Sequence, residues 1–104
     1  MSTMNSVTEY GEFDEKFKET YELFKRNIES DEEVGASFAV YKDGKPIIDL
    51  YGGFQDRDKK ISWNKDTLVN VHSTSKGIVA MIVAKLIDNG DLELDKRVCD
   101  YWPE

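Results

Sequence analysis

The amino-acid sequence predicts an α+β fold, and three features carry that expectation. Phe13, Phe17, Tyr21, Phe24 and Ile28 recur at spacings of 4, 4, 3 and 4, one apolar stripe of a helix. Ala36, Phe38 and Val40 alternate with Ser37, Ala39 and Tyr41 ahead of Asp43-Gly44, a pair suited to a tight type I′ hairpin turn. Nine of the ten residues from Ile78 to Ile87 are apolar, and a helix apolar all round is a buried helix. The architecture expected is therefore an N-terminal helix, an antiparallel β-hairpin and a buried second helix.

Each element follows in order. Residues 1–11 read as a flexible N-terminus. Residues 12–30 read as the first helix, with acids crowding its early turns and Lys25 and Arg26 late, the polarity its dipole favours. The hairpin's return strand is Lys45–Tyr51, where Ile48 and Leu50 share one face. Pro46 lacks an N–H and belongs at a strand start or an edge. Gly52-Gly53 ends the pair, and residues 55–66 are a polar loop. The short apolar piece Leu68–Val71 leads into His72-Ser73-Thr74-Ser75-Lys76 and then the second helix, Gly77 to Asp88. Asn89-Gly90 is a helix stop. The tail spaces Leu92, Leu94, Val98 and Trp102 through a polar segment.

Composition excludes several function classes. Fourteen bases against 21 acids leave a net charge of −7, which disfavours nucleic acid, since phosphate neutralisation needs clustered Lys and Arg. The acid is concentrated: residues 1–33 hold ten acids and four bases, residues 34–104 eleven and ten. That excess reads as the solvated face of the first helix. Cys99 is the one cysteine and His72 the one histidine, so a disulfide framework, a cysteine-based zinc site and a multi-histidine metal centre are all excluded. No cofactor is implied. No apolar run approaches the ~18–20 residues of a membrane span. Residues 1–15 contain four acids and no base, unlike a signal peptide or presequence, so the expected location is the cytoplasm with Cys99 reduced.

One arrangement carries chemistry: Ser73-Thr74-Ser75-Lys76 at the start of the apolar helix. A serine in a first helical turn sits near free N–H groups and the positive end of the dipole, which can stabilise an oxyanion. A lysine three residues later lies on the same face, within reach of the serine oxygen. A desolvating helix body favours its neutral form, and a neutral amine can take the serine's proton. The pattern by itself is weak. Seven serines and eleven lysines make a chance match ordinary, and a second one, Ser62 to Lys65, lies in the polar loop. A serine before a helix also fills the ordinary role of N-cap, so spacing and context leave both readings open.

The stretch from Leu68 to Gly77, read Leu-Val-Asn-Val-His-Ser-Thr-Ser-Lys-Gly, resembles the nucleophile region of the β-lactamase-related serine hydrolases. That family includes class C β-lactamases, esterases of the same fold, penicillin-binding proteins and D-amino-acid peptidases. The run Asn89-Gly90-Asp91-Leu92-Glu93-Leu94-Asp95, then Val98 and Tyr101-Trp102-Pro103-Glu104, is similar to the segment after the family's catalytic helix. Gly35–Gly53 resembles its first two strands, and the leading helix its first helix. The resemblance implies a partial β-lactamase/transpeptidase-like fold over residues 12–104. It implies Ser73 as the acylated nucleophile and Lys76 as the lysine that assists it, with the Ser73 N–H as half of the oxyanion hole. Which group is the true base is disputed across this superfamily.

The family also uses a Tyr-x-Asn motif and a late-strand Lys-Thr-Gly or His/Trp-x-Gly motif. None of the five tyrosines has Asn two residues on. Lys42-Asp43-Gly44 matches the third motif loosely, but it precedes the serine and reads as turn chemistry. The sequence therefore looks like the amino-terminal part of such a hydrolase, an incomplete domain. Two functions are expected from it. The first is hydrolysis of a small-molecule ester or amide through an acyl-enzyme on Ser73, weak or absent in these residues alone. The alternative is a non-catalytic module that associates, with itself included, through an unpaired hairpin edge. Ser37 in Gly35-Ala36-Ser37-Phe38-Ala39 reads as mid-strand packing, since a nucleophile elbow needs a helix after it. Direct activation of Ser73 by the adjacent His72 is disfavoured, because neighbours in an extended segment point apart. Cys99, Trp63 and Trp102 read as packing residues.

Overall fold

A computed structural model describes residues 3–104. The chain divides into two units, one running to Leu68 and the other from Val69 to Glu104.

The first unit is a four-stranded antiparallel sheet with one helix. Its elements are β1 (Ser6–Thr8), β2 (Gly11–Phe13), a 3-10 turn (Glu15–Phe17), α1 (Lys18–Glu29), β3 (Gly35–Lys42) and β4 (Lys45–Gly53). The strand order is β1-β2-β4-β3. The predicted hairpin is present with its turn: Asp43 and Gly44 both take positive φ, 52° and 73°, as a type I′ turn requires. Val40 opposes Ile48 and Phe38 opposes Leu50, so the apolar alternation of both strands falls on one face. Pro46 stands at the start of β4, where the register shifts between Val40 and Tyr41.

The helix expected over 12–30 begins later than predicted. Phe13 belongs to β2, where it pairs with Ile48. Strand pairing persists to Asp14, whose N–H donates to the Ile47 carbonyl at 2.8 Å. The Asp14 carboxylate then accepts from Lys16 N at 3.0 Å and opens the 3-10 turn. Only after that turn does α1 run from Lys18. The apolar stripe is real but crosses three elements. The flexible terminus expected over residues 1–11 holds, in its second half, β1 and the start of β2. Thr8 and Gly11 close that pair, the Thr8 hydroxyl donating to the Gly11 carbonyl at 3.0 Å.

The core of this unit is Phe13, Tyr21, Ile48 and Leu50, with Tyr10, Phe17, Phe24, Val40 and Ile47 packed around it. Phe13 and Tyr21 stack with ring centroids 4.7 Å apart. A fully buried side chain such as Leu50 contributes roughly 1.5–3 kcal/mol by leaving water. Among the described residues β3 ends the sheet, so its outer edge is unpaired, while β4 is flanked on its other side by β2.

The second unit has a 3-10 turn (His72–Thr74), α2 (Ser75–Asp88) and a further 3-10 turn (Val98–Asp100). Gly90 at φ 84° ends α2, with Gly90 N donating to Ile87 O at 3.0 Å and Asp91 N to Leu86 O at 2.8 Å. The tail is held by Glu93 N, which donates to the Tyr101 hydroxyl at 2.7 Å. One expectation fails here. The sequence predicts a buried second helix, yet none of its residues is buried, and Ile78, Val79, Met81 and Ile82 are all more than half exposed. A helix apolar all round needs covering on every side; within this unit Leu92, Leu94, Val98 and Tyr101 of the tail line one cavity with Val83 and Ile87, and α2 stays exposed. Among the described residues no helix is long and apolar enough to cross a membrane. None of their His, Cys, Asp and Glu side chains groups into a metal-holding cluster.

Candidate active site

Ser73 and Lys76 come together at the junction of the 3-10 turn and α2. Lys76 Nζ donates to Ser73 Oγ at 3.2 Å. The junction makes the contact: one helical turn separates residues three apart, so their side chains share a face. The second Ser-x-x-Lys does not behave this way. Lys65 Nζ lies 3.7 Å from Asp49 Oδ2, and Ser62 offers its backbone carbonyl to Gln55. Ser37 lies within β3, and Lys42-Asp43-Gly44 is the hairpin turn, both as predicted.

The backbone before Ser73 is unusual. His72 adopts φ 47°, a left-handed conformation that non-glycine residues rarely take. Such a residue costs roughly 1–3 kcal/mol and persists only where neighbours hold it. Here Asn70 Oδ1 accepts from His72 N at 3.0 Å, and Thr74 N donates to Val71 O at 3.1 Å. Sequence reasoning passed over Asn70. The available signal was its type, since Asn side chains cap a backbone N–H two residues on. Among the described residues no hydrogen bond joins the His72 ring to Ser73.

The arrangement supplies a hydroxyl, an amine touching it and the N-terminal N–H groups of a helix. Groups of these kinds can act as a nucleophile, as a proton acceptor when the amine is neutral, and as donors to a developing oxyanion. Desolvation is the missing component: Ser73 and Lys76 are both exposed. A cleft of about 310 Å³ in the first unit is lined by Leu23, Phe24, Ile28, Ala36 and Phe38.

A family model described as Beta-lactamase matches residues 22–104. Esterase/beta-lactamase LipL of Mycobacterium tuberculosis is 36% identical over 69 residues, covering 66% of this chain and 16% of that protein. Protein flp of Staphylococcus aureus is 32% identical over 69 residues, covering 66% of this chain and 14% of that protein. A crystal structure described as that of a family VIII carboxylesterase matches with a TM-score of 0.83 and 40% identity, over 88% of this chain and 25% of the other. The chain thus spans 14–16% of the length of these curated relatives.

Proposed function

The chain belongs to the β-lactamase family, and on that premise we propose that it carries the nucleophile segment of a serine hydrolase acting on small-molecule esters or amides. The observation that carries this reading is the 3.2 Å contact between Lys76 Nζ and Ser73 Oγ at the start of α2. Ser73 Oγ attacks the substrate's carbonyl carbon. Its proton passes to Lys76 Nζ and from there to the departing alkoxide or amine as the carbonyl–oxygen or carbonyl–nitrogen bond breaks. The acyl group rests as an ester on Ser73 until water attacks its carbonyl; the carbon–Oγ bond breaks, a proton of the water passes through Lys76 Nζ to Ser73 Oγ, and the acid is released. Helix-terminal N–H groups stabilise the oxyanion in both steps. The matched crystal structure is described as that of a carboxylesterase and the mycobacterial relative as an esterase/beta-lactamase, which supports an ester or amide without choosing between them.

The 104 residues hold neither a Tyr-x-Asn nor a late-strand motif, and their serine–lysine pair is exposed. The chain therefore supplies the serine and lysine of the first step without the covering that would favour the neutral amine, and no sustained turnover is expected of it. Incubation of the chain with a fluorophosphonate, read by intact mass, should give a single adduct that Ser73→Ala abolishes and Lys76→Met slows. The same chain should release nitrophenol from a short-chain nitrophenyl ester with no sustained steady state. An adduct retained in Ser73→Ala would remove the assignment. A second reading rests on the unpaired outer edge of β3, which bears exposed Phe38 and Tyr41. On it the chain is a non-catalytic module that associates through that edge, and it then takes no adduct and sediments as more than a monomer.

A further inference from the structure

Resting on the serine reading above, we infer that Asn70 is a positioning residue for Ser73, acting by holding His72 in its left-handed conformation. Three contacts follow one another along the chain: Asn70 Oδ1 with His72 N at 3.0 Å, Val71 O with Thr74 N at 3.1 Å, and Ser73 Oγ with Lys76 Nζ at 3.2 Å. The last two are consequences of where the chain points after His72. A histidine at φ 47° is disfavoured on its own, and extended or right-handed backbone lies open to it. Either alternative redirects the chain at the residue immediately before Ser73 and swings its hydroxyl away from the amine. The Asn70 side chain opposes that change by accepting the one N–H that the left-handed turn presents to it. The His72 carbonyl is held in its turn by the Ser75 N–H, and the Val71 carbonyl serves Thr74, so the His72 N–H is left to Asn70; neither the 3-10 turn nor α2 has a side-chain hydrogen bond from its N-cap residue. Asn70 touches neither the reacting hydroxyl nor the amine, so its effect is on the population of the aligned geometry and not on the chemistry of the groups.

The type of residue matters, which separates this role from packing. Asn70 is exposed, so its removal leaves no cavity. Aspartate has the same shape and keeps the acceptor. Alanine loses it. A glycine at position 72 takes positive φ without help, so it should make the acceptor dispensable.

The test is the rate of phosphonylation of Ser73 by a fluorophosphonate, followed by intact mass on the full chain, with far-UV circular dichroism reporting α2. Asn70→Ala should slow labelling about tenfold or more, since small misplacements of a reacting group cost on that order or above, with helicity unchanged. Asn70→Asp should label within about threefold of wild type, on the premise that a retained acceptor retains the turn. His72→Gly combined with Asn70→Ala should recover most of the lost rate. The midpoint of the pH–rate profile should stay where it is in Asn70→Ala, because alignment and not the base is lost. Equal labelling rates in wild type and Asn70→Ala overturn the inference alone, as does equal loss in the Asp and Ala variants. If Asn70→Ala loses helicity, the Asp variant and the glycine double variant still decide it. A wild-type chain that takes no adduct at Ser73 overturns the serine reading itself, and this inference with it.

Discussion

Tyr10 shows how one residue couples backbone and ionisation. Its ring lies over Gly52, where an added Cβ would collide with Tyr10 Cδ1, so only glycine leaves room for it. The ring also meets Phe24 edge-on at 6.4 Å. Packed in this way, the hydroxyl is held above its ordinary value of 10.0, first by desolvation and then by Glu29 and Glu9. The fold therefore prefers the neutral phenol. Below pH 10 both folded and unfolded chains carry the phenol neutral, and the stabilisation is fully present. As pH rises, the unfolded chain ionises first, and the contribution is lost through the folded value. Urea melts at pH 9 and pH 11 should show a fall in stability, and Tyr10→Phe should make that fall smaller. An identical fall in the variant would mean that the burial around Tyr10 does not oppose its charge.

Among the elements, what was legible in the sequence is what repeats over many residues or has a strict turn chemistry. The β3–β4 hairpin was readable because alternation runs along both strands and Asp43-Gly44 supplies the left-handed pair. The start of α1 was not, because Phe13 and Phe17 continue its helical spacing while belonging to a strand and a 3-10 turn. Strands β1 and β2 are three residues each, too short for a period of two to register. At the site, the Ser73–Lys76 contact follows from helical spacing, whereas the Asn70 bond depends on a φ that composition does not encode. The position of α2 is legible in its apolar run and its exposure is not, since burial depends on what packs against it. The consequence is measurable. Ile78 and Ile82 expose more than half their surface, one turn apart on one face. Replacing both with Gln keeps a good helix former and removes an apolar stripe. The double variant should bind markedly less of a hydrophobic fluorescent dye than wild type, with unchanged helicity. Equal dye binding would locate the accessible apolar surface elsewhere, with the β3 edge next to be altered.

At the scale of the whole chain, stability is unevenly spread. Every buried apolar side chain described, Phe13, Tyr21, Ile48 and Leu50, lies in the unit that ends at Leu68. From Val69 to Glu104 no side chain is buried. The second unit's regular structure is then chiefly α2, a 14-residue helix. Helices of that length are marginal in water when no tertiary face supports them, because nucleation is costly and propagation returns little. Local opening energies within one protein range from nearly zero up to the global value, tracking buried apolar contact. Amide hydrogen exchange read by mass spectrometry should therefore find the β4 amides that pair with β3 slowest, and those of α2 exchanging faster by orders of magnitude. Addition of a covalent phosphonate at Ser73 should slow the first turn of α2 more than its last, because the adduct's oxygens accept from the helix-terminal N–H groups. If α2 instead exchanges as slowly as β4 in the unlabelled chain, its apolar surface is covered in solution. Its protection would then scale with protein concentration if another copy supplies the cover, and not if the chain does so itself.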